Sequence, residues 1–168
     1  MLFTSSEANK LLRNTQSQID QLSSIADKSV VFTALATDNP DDFRPQYDFR
    51  KSENKISELM EKVRTIKHAI NKFNSSTKID ELNMTIDELL VALPQWNKRL
   101  AFYEGLLYKQ PKTCKSAYST PTYEYTNYSL EEVRMAYDNL SDLISTAQIK
   151  LDHLNNTVQF DIPVNIEV

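Results

Sequence analysis

The sequence predicts a mostly α fold: an antiparallel up-down-up-down four-helix bundle made of two pseudo-symmetric helical hairpins, with short β segments at its ends. Three observations predict it. Four apolar stripes run at helical spacing, capping signals mark where the helices start, and residues n and n + 81 resemble each other along most of the chain. With 168 residues, 40% hydrophobic and 25% charged, the chain can bury a sizeable core and reads as one domain, 1–168.

The first helix begins at a capping box, Thr4-x-x-Glu7, in which the Thr oxygen accepts from the Glu amide and the Glu carboxylate reaches back to the Thr amide. Its stripe is Ala8, Leu11 with Leu12, Thr15, Ile19, Leu22 and Ala26. The second helix follows Pro45 and starts near Asp48, which caps without a matching Glu. Its stripe of Ile56, Leu59, Val63, Ile66, Ile70 and Phe73 alternates steps of three and four, the pattern that nearly antiparallel ridge packing requires. A second capping box, Thr85-x-x-Glu88, opens the third helix, with Leu89, Leu93, Trp96, Leu100, Tyr103 and Leu107 on one face. Pro94 lies inside that run, where it removes a hydrogen bond and crowds the preceding turn, so a kink or break is expected. Ser129-x-x-Glu132 opens the fourth helix, whose stripe is Val133, Tyr137, Leu140, Ile144, Ala147, Leu151 and Leu154. Each box has a hydrophobic staple: Phe3 with Ala8, Met84 with Leu89, Tyr128 with Val133.

An offset of 81 carries Phe3, Thr4 and Glu7 onto Met84, Thr85 and Glu88, and Leu59, Val63, Ile66, Ile70 and Phe73 onto Leu140, Ile144, Ala147, Leu151 and Leu154. It also places Asn74 on Asn155 without a gap. Caps, turns and stripes agreeing in one register indicate an internal duplication with halves of about 1–81 and 82–162. The connections at 29–47 and 110–128 are longer than a bundle needs. Val30 to Thr33 and Thr122 to Thr126 have strand composition and are expected to meet as a small antiparallel ribbon. The segments after the second and fourth helices, Thr77-Lys78-Ile79 and Val158-Gln159-Phe160-Asp161-Ile162, are expected at the opposite end, where they could also pair.

Composition excludes several chemistries. A single glycine, Gly105, cannot supply a phosphate-cradling loop, a dinucleotide fingerprint or a nucleophile elbow. Cys114, the one cysteine, allows neither an intramolecular disulfide nor a Cys-rich zinc site. A net charge of −4 argues against nucleic acid as a partner. No stretch approaches a membrane span, and MLFTSSEANK has neither the basic head nor the apolar run of a signal peptide, so no membrane partner and a cytoplasmic location are expected. Charge is uneven: Lys98, Arg99, Lys109, Lys112 and Lys115 against Glu104 make 98–115 basic, and eight acids against Arg134 and Lys150 make 116–168 acidic. Solvated helix faces and linkers account for such segments.

Two groups of residues could carry function. Asn71, Asn74 and Thr77 from one half, with Asn155, Asn156 and Thr157 from the other, are expected near the starts of the first and third helices, where free amides and helix dipoles favour an anion. Asn at a helix end is also the usual left-handed cap, and that reading asks less of the residues. Tyr118, Tyr123, Tyr125 and Tyr128 crowd the second connection and suit a partner surface or a stacked ligand; the alternative is that they lid the core. His68 and His153 fall off the apolar stripes without acidic neighbours at metal-site spacing, so no metal or cofactor is expected. Cys114 sits among lysines, a setting that favours reactive thiols, but no partner is adjacent in sequence.

The segments Ile70-Asn71-x-x-Asn74-x-x-Thr77, Leu151-x-x-x-Asn155-Asn156-Thr157 and Tyr123-Glu124-Tyr125 make the chain resemble a group of short bacterial helical proteins, some labelled septicolysin. The chain departs from that group after its first helix, where Phe32 to Asp38 replace an acidic turn containing Gly and Glu. The resemblance implies a helical fold and no established activity, and the cytolysin-like label implies a membrane attack that the composition does not support. The sequence as a whole points to a helical interaction or assembly module, with no catalytic residues, whose partner is another protein or a second copy. The alternative is a binder, or an enzyme, for a small anionic ligand at the Asn and Thr residues.

Overall fold

The computed structural model describes residues 1–116 and 120–164. They form a mostly α protein of four long helices and three two-stranded antiparallel pairs. In order these are β1 (Leu2–Thr4), α1 (Ser5–Ser29), α2 (Phe49–Ser76), β2 (Lys78–Ile79), β3 (Met84–Thr85), α3 (Ile86–Leu107), β4 (Lys112–Ser116), β5 (Thr122–Tyr125), α4 (Leu130–Thr157) and β6 (Gln159–Asp161). This is the expected class, four helices with short β segments at helix ends. No helix among the described residues is long and apolar enough to cross a membrane.

Contacts divide the chain into two compact units, one drawn from Met1–Asn74 with Leu154–Val168 and the other from Ser75–His153. The division does not follow the halves of the chain, because β6 pairs with β1 and so joins the first unit.

In the first unit α1 and α2 pack antiparallel. Ala8, near the start of α1, shares a cluster with Ile66, Ala69 and Ile70 near the end of α2, and Ile162 completes it. Farther along, Ile19 of α1 meets Ile56 and Leu59 from the first half of α2. Both stripes therefore face each other along their length. Fully burying Ile66 contributes about 1.5–3 kcal/mol. Phe3 packs on the same cluster, and Phe160 stacks on Phe73 with ring centroids 4.5 Å apart.

The second unit buries Ile79, Ile86, Leu89 and Ala92 from its first half and Val133, Ile144 and Ala147 from α4. The α4 residues and Leu89 are stripe positions, whereas Ile79, Ile86 and Ala92 lie outside the stripes and the rest of the third-helix stripe is half-buried. Lys150 of α4 pairs with Glu81 in the 3-10 turn Asp80–Leu82. That bond, with the ammonium charge behind it, holds the Glu81 carboxyl below its usual range. Asn83 closes the β2–β3 turn in the left-handed region, φ 48°, which asparagine tolerates better than other side chains.

The helix starts match their signals. The Thr4 amide donates to the Glu7 carboxylate at 2.8 Å and the Glu7 amide to the Thr4 hydroxyl at 3.3 Å. The second box has nearly the same dimensions, 2.7 Å and 3.2 Å for Thr85 and Glu88. Bonds from the amide and hydroxyl of Thr85 hold the Glu88 carboxyl below its usual range. The Ser129 hydroxyl accepts from the Glu132 amide, and Asp48 accepts from the Lys51 amide.

Three expectations are corrected. Of the kink or break expected at Pro94, the break does not occur: one helix runs from Ile86 to Leu107. Pro94 and Leu90 both face solvent, so water can satisfy the Leu90 carbonyl left without its usual partner. Val30 to Thr33 form no strand, and the partner of β5 is β4, a few residues before it. A local hairpin orders less chain than a ribbon between two distant connections. Finally, β2 and β6 do not pair with each other; each pairs with the strand leading into a capping box, β2 with β3 and β6 with β1. Thr4 and Thr85, as caps, already hold extended backbone, φ −75° and −76°, so the residues before them offer a ready edge.

Several features recur 81 positions apart. α2 and α4 each have 28 residues, with first and last residues displaced by 81. The register Phe3 with Phe160 and Thr4 with Gln159 becomes, under the same displacement, Met84 with Ile79 and Thr85 with Lys78, the observed pairing of β3 and β2. One difference stands out: α1 runs to Ser29, whereas α3 ends at Leu107, three residues short of the equivalent position.

Candidate functional site

The Asn and Thr residues divide between the two units. Asn71, Asn74, Asn155, Asn156 and Thr157 belong to the first and Thr77 to the second. Asn156 accepts at 2.8 Å from the hydroxyl of Ser6 in the first turn of α1, the helix start where the sequence expects it. Asn71 is exposed, Asn155 is half-buried, and the Thr77 carbonyl accepts from the Ile86 amide at 3.0 Å. Asn74 is half-buried with its Oδ1 enclosed and without a hydrogen-bond partner. The capping alternative is corrected: Asn74 and Asn155 lie inside helices that continue to Ser76 and Thr157, and among the described residues the left-handed asparagine is Asn83.

The tyrosines sort by function in the hairpin. Strand β4 pairs with β5 in the register Lys112 with Tyr125, Thr113 with Glu124 and Cys114 with Tyr123, with a bulge between Cys114 and Ser116. Directly opposed residues of an antiparallel pair share a face, and the face alternates along each strand. Lys112, Cys114, Tyr123 and Tyr125 therefore present one face, and Thr113 and Glu124 the other. The Lys112 ammonium lies 4.0 Å from the centroid of Tyr123 and 5.6 Å from that of Tyr125, a cation held over two π faces. The two rings are 6.4 Å apart and remain 44% and 62% exposed. On the opposite face Lys115 bridges Glu124 at 3.0 Å and holds that carboxyl below its usual range.

Tyr128 has a different role. Its hydroxyl donates to the Leu106 carbonyl at 2.6 Å, anchoring the chain after the hairpin to the end of α3. Tyr128 is thus half-buried and bonded, whereas Tyr123 and Tyr125 are exposed. Tyr118 lies outside the described residues. Lys112 was not legible as a member of this surface from composition; the signal was the antiparallel register that sets it opposite Tyr125. Cys114 is exposed on the same face.

Two concavities accompany these features. One of about 320 Å³ lies at the hairpin base, lined by Lys109, Thr113, Glu124, Tyr125, Asn127 and Tyr128. A wider groove of about 960 Å³ runs along α1 and α2 in the first unit, with Lys55 and Lys62 interleaved with Glu58 and Glu61. Its lining charges offset one another and select no ligand charge. Among the described residues no cluster of three or more His, Cys, Asp or Glu side chains could hold a metal. His68 and His153 both lie on exposed helix positions.

Fold and surface together define a mostly α, four-helix protein that displays an aromatic and cationic β-hairpin. A solved structure described as a functionally unknown conserved protein from Corynebacterium diphtheriae is similar to it, with a TM-score of 0.58 and 14% identity over 96% of this chain and 100% of that one. At this identity the likeness concerns the fold. No family model and no curated protein matches the chain.

Proposed function

We propose that this protein is a helical interaction or assembly module that works by binding another protein chain through the β4–β5 hairpin, without catalytic chemistry of its own. The observation that carries the reading is the open face shared by Lys112, Cys114, Tyr123 and Tyr125. Tyrosine provides large contact area at low entropic cost, and Lys112 holds the rings in place before any partner arrives. Light scattering of the purified chain over a wide concentration range, beside Tyr123→Ser/Tyr125→Ser, tests it, with affinity capture for a chain that stays monomeric. Association that depends on both tyrosines supports the reading; a double variant that changes neither self-association nor capture refutes it.

The 81-residue recurrence of caps, helix bounds and strand registers supports an origin by duplication of a helical hairpin. The shared Asn, Thr and Tyr segments, with the four-helix class, support kinship with the bacterial helical proteins labelled septicolysin. The free Cys114 supports a reducing, cytoplasmic setting. A second reading, an anion site at the Asn and Thr residues, draws on Asn156 beside the first turn of α1. The atom left without a partner there, Asn74 Oδ1, is an acceptor and suits a donor group instead.

A further inference from the structure

We propose that the hairpin face docks on the connection between α1 and α2 of a second copy of this chain, the acidic and apolar segment 30–48. The inference rests on the reading of the hairpin as a contact surface and names its partner.

The connection presents large apolar side chains that its own unit leaves open. Val31 is 76% and Leu35 71% exposed, and Phe43 is exposed beside the 3-10 turn Pro40–Phe43. Several exposed large apolar side chains on one connection suit a contact surface. The segment is also anchored: Asn39 caps the 3-10 turn, and Arg44 bridges Asp41 at 2.9 Å while lying 5.5 Å from the Phe32 ring centroid. A preordered loop loses little entropy on binding.

Charge selects the partner. Between 30 and 48 the connection carries Asp38, Asp41, Asp42 and Asp48 against Arg44, three net negative charges. Around the hairpin Lys109, Lys112 and Lys115 stand against Glu124, two net positive charges. The internal pairs Asp41 with Arg44 and Glu124 with Lys115 leave Asp38, Asp42 and Asp48 on one surface and Lys109 and Lys112 on the other. Opposite net charges, each beside exposed apolar or aromatic groups, provide electrostatic complementarity and a dry centre. Each copy carries both surfaces, so every molecule can offer one contact and accept another.

The test exchanges the charges between the two surfaces. Lys109→Glu/Lys112→Glu makes both surfaces of a molecule acidic, and Asp38→Lys/Asp42→Lys makes both basic. Each double variant alone should self-associate about tenfold or more weakly than the wild type in sedimentation velocity. An equimolar mixture should recover wild-type association, because each contact then joins an acidic surface to a basic one. Leu35→Ser should weaken association without altering the hairpin, and helical melting curves check that the variants fold. Failure of the mixture to recover overturns the inference. Association abolished by Tyr123→Ser/Tyr125→Ser yet indifferent to the charge variants overturns it while leaving the hairpin reading intact. A wild type that stays monomeric, but captures another protein through the tyrosines, does the same.

Discussion

Tyr47 and Tyr128 occupy positions 81 apart, each just before a helix cap, and the same substitution should have opposite effects at the two. Tyr128 donates at 2.6 Å to the Leu106 carbonyl, which also accepts from the Lys109 amide at 3.2 Å and lies in the last turn of α3, one residue before its end at Leu107. The equivalent acceptor for Tyr47 is the Ile25 carbonyl. There α1 continues to Ser29, with the Val30 amide still bonded to Ala26, so Ile25 lies four residues inside its helix where Leu106 lies one from the end of α3. The Tyr47 hydroxyl is accordingly buried without a hydrogen-bond partner. Tyr128→Phe removes a formed bond and should cost about 1 kcal/mol. Tyr47→Phe removes a desolvated, unpaired hydroxyl and should be neutral or stabilise by up to about 1 kcal/mol. Urea titrations followed by the helical signal should show the two midpoints moving in opposite directions at constant slope. A Tyr47→Phe variant destabilised as much as Tyr128→Phe would refute the reasoning, since it would require a bonded Tyr47 hydroxyl.

Removing either formed capping box, by Thr4→Ala or Thr85→Ala, should cost about 1 kcal/mol of unfolding free energy, measured by the same titration. At the left-handed turn, Asn83→Gly should remain within about 0.5 kcal/mol of the wild type, whereas Asn83→Val should cost about 1–2 kcal/mol. The carboxyls of Glu81, Glu88 and Glu124 lie below their usual range in the folded protein because of bonds from Lys150, Thr85 and Lys115. The unfolded chain therefore takes up their protons first. Their contribution to stability should be complete above the ordinary glutamate range and disappear as pH falls through the folded values, and Glu88→Gln should flatten that acid limb in a series of melting curves.

The legible parts of this molecule are those governed by neighbours three or four residues away. A capping box is a set of hydrogen bonds within one turn, so Thr4 with Glu7 and Thr85 with Glu88 could be written down from spacing alone. An apolar stripe is a consequence of helical pitch, and Ile66 and Ala147 are buried where pitch places them. The bounds of α2 and α4 share the offset visible in the residues for the same reason.

Long-range choices were another matter. Strand composition nominated Val30 to Thr33, but a strand exists only where another segment completes its ladder, and β5 met β4 first. The asparagines looked like caps because helix ends are common at such residues, yet α2 and α4 each continue two residues beyond Asn74 and Asn155. Four tyrosines were alike as letters. Tertiary structure gave Tyr128 a carbonyl to bind and left Tyr123 and Tyr125 open under Lys112, because the hydrogen bond to Leu106 joins residues 22 positions apart. Local periodicity and capping chemistry thus determined the helices, whereas pairing and surface were decided by which distant groups the folded chain brought within bonding distance.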